Sequence, residues 1–180
     1  MSGKLTLISS ATASGSASVE FTSGLDSTYD EYVFYFVDIN PATDSESLQF
    51  QVNASGQTGY NETITSTYFA ANANEAGTDA NIAYVTARDQ AQGTAYQWLT
   101  STQGSGADEC SAGELHLFSP SSTSKVKHFH SRMNHYHASD YSADSFCAGY
   151  INNAASAITE ISFKMSSGNF DGSIHFFGVS

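Results

Sequence analysis

A chain of 180 residues, 40% hydrophobic and 13% aromatic, is long enough to bury one sizeable core without help from a disulfide or a metal. Six Lys and Arg against eighteen Asp and Glu leave a net charge of −12, which argues against nucleic acid and anionic membrane as partners, since both select a basic footprint. No stretch is apolar for long enough to span a bilayer as a helix, and the opening "MSGKLTLISS" lacks the apolar core of a secretory signal, so the expected site of synthesis is a cytoplasm.

Short runs of alternating apolar and polar residues predict strands from one end of the chain to the other. In order they are "KLTLI" (4–8), "ASVEF" (17–21), "EYVFYFVDI" (31–39), "SLQFQV" (47–52), "NETITSTYF" (61–69) and "NIAYVT" (81–86). The second half continues with "TAYQWLT" (94–100), "GELHLF" (113–118), "SKVKHFH" (124–130), "MNHYHAS" (133–139), "SFCAGYI" (145–151), "AITEISFKM" (157–165) and "GSIHFFGV" (172–179). Val, Ile, Thr, Tyr and Phe fill these runs, as suits a pleated, half-buried surface. Clusters such as "NPATDSES", "NASGQTG" and "SSGNFDG" separate them as turns. The segment 9–18, "SSATASGSAS", reads as a flexible arm or a loop after a first strand, and the Ala-rich 68–84 is the one candidate for a short helix, interrupted by Gly77. Many short strands without a helical stripe give an all-β fold, an antiparallel β-sandwich of jelly-roll type, formed by residues 1–180 as a single domain. In the last strand Ile174, Phe176 and Gly178 should share one face, and His175, Phe177 and Val179 the other.

"HFHSRMNHYH" holds four of the six histidines. Read as a hairpin with its loop near Ser131–Arg132, it puts His128, His130, His135 and His137 on one face if the loop has two or four residues, and splits the pairs between faces if it has three. Two such pairs on one face are potential ligands for a divalent Zn, Ni or Fe ion. No cysteine adjoins them, so the reading adopted is a hairpin without a metal, its imidazoles serving a surface or an interface. Tyr136 and Tyr141 flank the same region and are the candidate ligand-binding aromatics, suited to stacking on a glycan.

Catalytic signatures are missing from the sequence. There is no Gly-x-Ser-x-Gly elbow, no His-Glu-x-x-His and no phosphate loop, and the acidic pairs Asp30–Glu31 and Asp108–Glu109 are chain neighbours that a strand would point apart. The expectation is a protein that is not an enzyme and holds no cofactor. Cys110 and Cys147 lack Cys-x-x-Cys spacing and are expected to be reduced thiols.

Two stretches carry a resemblance. Residues 10–52 run through "FTSGLDSTYDEY", a long aromatic strand and "INPATDSESLQFQ"; residues 157–180 form a strand, a Ser-Gly-Asn turn and a last strand closing on Phe-Gly-Val. Together they resemble small β-sandwich virion structural proteins of tailed bacteriophages, of tail-fibre or tail-tip type, including phages of aquatic bacteria and cyanobacteria. The resemblance implies a non-enzymatic structural component of a phage particle, located in the virion, acting as a tail fibre or receptor-binding module. A capsid decoration (cement) protein and a free carbohydrate-binding module are the alternatives. The partners expected are copies of itself in a homotrimer, other virion proteins and a host surface glycan.

Overall fold

The computed structural model describes residues 3–180, and among these the alternation of β-branched and aromatic residues produces 58% strand and no helix. The strands are β1 Leu5–Ser16, β2 Val19–Phe21, β3 Glu31–Pro41, β4 Leu48–Ala54, β5 Ile64–Asn74, β6 Ala80–Tyr84 and β7 Ala91–Gly93. They continue with β8 Gln97–Trp98, β9 Ser111–Phe118, β10 Lys127–His137, β11 Tyr141–Ile151, β12 Ile158–Met165 and β13 Phe170–Val179. Two antiparallel sheets pack on each other, the sandwich that the pattern predicts. The larger has nine strands in the order β1-β13-β3-β9-β10-β11-β5-β6, with β7 also paired to β5; the smaller runs β2-β12-β4-β8.

Aromatic rings fill the space between the sheets. Phe34 of β3 meets Phe163 of β12 at 5.3 Å between centroids and stacks on Phe176 of β13 at 4.6 Å, while Phe50 of β4 meets Phe129 of β10 edge-on at 5.0 Å. Offset and tilted contacts of this kind add to the burial energy of each ring. The last strand alternates as its sequence predicts: Ile174, Phe176 and Gly178 are buried, and His175, Phe177 and Val179 are half-buried on the other side. Strand β4 is buried on both faces, because segments from the neighbouring loops cover its polar side. Gln51 there donates to the carbonyls of Glu62 (2.9 Å) and Ala95 (3.1 Å), so its buried amide is satisfied.

Three sequence expectations are corrected. The segment 9–18 is largely strand: its small Ser, Thr and Ala residues lie along β13, from Ser9 opposite Phe176 to Ser16 opposite Phe170. Residues 68–84 form no helix but the hairpin β5–β6, since Tyr68 and Ala70 point inward at period two while the Asn74 side chain accepts from the amides of Thr78 (2.9 Å) and Asp79 (3.0 Å) to shape the turn. Third, residues 128–137 are not a hairpin. They belong to the single strand β10, paired without interruption to β11 on one side and to β9 on the other. The turn comes later, where Asp140 takes φ +61° and its amide donates to the His137 carbonyl at 3.0 Å.

Candidate functional site

The outward face of the nine-stranded sheet is built row by row from the cross-strand register. One row reads Leu5, Val179, Glu31, then Phe118, His128, Tyr150 and Thr65 across successive strands. The next reads Leu7, Phe177, Val33, His116, His130, Ala148 and Thr67. The third reads Ser10, His175, Tyr35, Glu114, Arg132, Phe146, Phe69 and Tyr84. Asn134, Asp144, Ala71 and Ile82 follow in a fourth.

These rows have an unusual composition for a solvent-facing surface. Among the described residues, the large hydrophobic side chains that are well exposed are Leu5, Leu7, Val37, Phe69, Ile82 and Tyr84, and all six project from this face. Ile82, the most open, is 77% exposed. Of the chain's eighteen carboxylates the rows hold only Glu31, Glu114 and Asp144. Phe69, Tyr84 and Ile82 are neighbours on β5 and β6, and an exposed apolar group of this kind marks an interaction site.

Specific contacts organise the face. Phe69 and Phe146 stack at 4.8 Å with their planes 6° apart, and the Arg132 guanidinium lies 5.1 Å over the Phe146 ring. Arg132 Nη2 also donates to Asp144 Oδ2 at 2.7 Å. Near the centre, the His116 Nδ1–H donates to Glu31 Oε1 at 2.6 Å, and the His116 and His130 rings stack at 4.5 Å. Partial burial and the neighbouring His116 push the His130 imidazole below its ordinary value. Beside this pair, the small side chains of Thr67 and Ala148 leave a trough of about 440 Å³, edged by His130 and Tyr150. A second depression, of about 530 Å³, lies among Tyr35, Val37, Glu114, Arg132 and Asp144.

No family model, curated protein or solved structure matches the chain. The site therefore rests on its own geometry.

The four histidines of the β10 segment are divided by the strand they share. His128 and His130 face outward in the rows just described; His135 and His137 face the interior of the sandwich. This is the split arrangement, reached by one continuous strand and not by a three-residue loop, so the four imidazoles do not share a face. Among the described residues no group of three His, Cys, Asp or Glu side chains is placed to hold a metal ion. His135 is 1% exposed, its Nε2–H donates to the Ser101 carbonyl at 2.5 Å, and its Nδ1 has no partner. Burial pushes its imidazole down to about 4, so the ring is neutral across the physiological range. His137 is half-buried beside it; its Nδ1 accepts from the Ser139 amide at 3.1 Å, and burial lowers its imidazole too.

Tyr136 and Tyr141 are not brought together. Tyr136 belongs to the outward face and donates to Asp140 at 3.2 Å; burial and the carboxylates of Glu75 and Asp140 push its phenol up to about 12. Tyr141 pairs with His137, with the rings 5.8 Å apart, and donates to Asp79 at 3.0 Å. Both cysteines are free, Cys147 buried and Cys110 partly so. The residues that sequence reading passed over are Glu114, His116, Phe69 and Tyr84. Their signal was present as alternation in "GELHLF", "STYF" and "NIAYVT", and only the register shows that these strands point their polar or aromatic residues at one surface.

Proposed function

We propose that the chain is a non-enzymatic structural component of a phage particle, held in its assembly through the outer face of the nine-stranded sheet. The observation that carries this reading is the concentration of all six well-exposed large hydrophobic side chains on that face. The scarcity of carboxylates there supports it, because a chain of net charge −12 meets least repulsion through the face that carries fewest of its acids. The sequence resemblance at 10–52 and 157–180 is the reason for placing the assembly in a tailed-phage virion, as a tail-fibre or receptor-binding module, with capsid decoration as the alternative placement.

The test is made on particles assembled from a genome that encodes the chain. Antibodies against it should label intact particles, at the tail for a fibre and over the shell for a decoration protein. Phe69→Glu, which puts a charge into the stacked pair, should fold normally and fail to be incorporated. A chain absent from particles, or a Phe69→Glu variant incorporated as well as the native protein, would overturn the reading.

A further inference from the structure

We propose that the occupant of the outer face is a second copy of this chain, packed sheet on sheet about a two-fold axis parallel to the strands and running between β9 and β10. The inference rests on the reading of this face as the association surface.

The strand order supplies the first argument. The path β1-β13-β3-β9-β10-β11-β5-β6 has its midpoint between β9 and β10. A two-fold axis there lays β9 over the second copy's β10, β3 over its β11, and β13 over its β5, while each residue keeps its row.

Charge supplies the second. Glu114 on β9 and Arg132 on β10 are cross-strand neighbours on either side of the midpoint. The axis sets each Glu114 over the other copy's Arg132, twice in one interface. Arg132 keeps 64% of its side chain exposed while paired to Asp144, and Glu114 keeps 38%, so both can reach across. A two-fold axis perpendicular to the strands would instead lay every strand over itself; drawn through this row, it would set Glu114 against Glu114 and Arg132 against Arg132. Like charges buried face to face oppose association.

Size supplies the third. In the second row the axis puts Phe177 over Thr67, so a ring meets the trough left by small side chains. Packed sheets are rotated by roughly 30° because each is twisted, so the match is closest near the axis, where the charged pair lies. An isologous interface of this kind is closed, with the same patch used by both subunits.

The experiment is sedimentation of the purified full chain at neutral pH, across micromolar concentrations. The native protein should be a dimer that dissociates on dilution. Glu114→Arg and Arg132→Glu should each be monomeric alone, through like-charge contacts, with dissociation constants raised at least ten-fold. An equimolar mixture of the two variants restores both Glu–Arg contacts and should give a heterodimer. A purely structural role for either residue gives no such rescue. A trimer, a mixture that stays monomeric, or a native dimer indifferent to both substitutions would overturn the proposal. A native protein that is monomeric throughout also overturns it; if Phe69→Glu then still abolishes incorporation into particles, the face binds another component and the broader reading survives. If Phe69→Glu changes neither dimerisation nor incorporation, the broader reading fails as well.

Discussion

Acidification should act on His135 before it acts on most of the fold. The imidazole is buried, opposite the Ser101 carbonyl, with His137 and Arg88 close enough to oppose a positive charge. In the unfolded chain it takes up a proton near 6.5; in the folded chain it does so only near 4. Between these values the unfolded state binds more protons, so stability rises with pH through the window and is lost as pH falls from about 6.5 toward 4. The gap between these values corresponds to about 3 kcal/mol in full, and to about 2 kcal/mol by pH 5. Urea denaturation of the native protein and of His135→Gln, at pH 7.5 and 5.0, isolates this contribution, because the titrations common to both proteins cancel in the difference. Glutamine keeps a donor for Ser101 but has no proton to gain. The stability advantage of the native protein should fall by about 2 kcal/mol between the two pH values. A constant difference would refute the claim that a buried, neutral imidazole sits at this position.

Phe176→Ala should lower stability by about 3–5 kcal/mol, and Phe177→Ala by about 1 kcal/mol, as measured by thermal or chemical unfolding, because only the first ring is fully enclosed. Lys127 is buried, and its ammonium donates to the carbonyls of Asn153 and Ser156; Lys127→Met should cost about 2 kcal/mol in chemical denaturation, by stranding both acceptors. A disulfide-exchange reagent should modify Cys110 slowly in the native protein and reach Cys147 only on unfolding, since burial both encloses the Cys147 thiol and pushes it up to about 12.

The sandwich was legible from period-two patterning because that pattern is local. The alternation in "GSIHFFGV" fixes which of Phe176 and Phe177 is buried without any knowledge of the partner strand. The same rule, applied to 124–139, should have given one long strand, since His128, His130, Arg132 and Asn134 alternate with Phe129, Ser131 and Met133. Ser131 and Arg132 resemble a turn in composition alone. In the fold Ser131 is buried between Leu115 and Cys147, an inward position that its neighbours on β9 and β11 impose. The flexible arm or loop expected at 9–18 fails for a related reason: small polar residues lack strong strand propensity, but β13 offers an edge to which Ser9–Ala13 and Ser16 pair. The outer face was not legible at all. It is assembled from residues that lie far apart in the chain, such as Leu7, Tyr35, Phe146 and Tyr84, and only the strand order makes them neighbours.

Hydroxyl-radical footprinting of the chain, free at nanomolar concentration and in its assembled state, tests the outer face as an association surface most directly. Leu7, Tyr35, Phe69, Ile82 and Tyr84 should be oxidised in the dilute chain and strongly protected in the assembly, while Tyr141 keeps its reactivity. Unchanged oxidation of those five side chains, with protection at Tyr141 or in the loops, would contradict it.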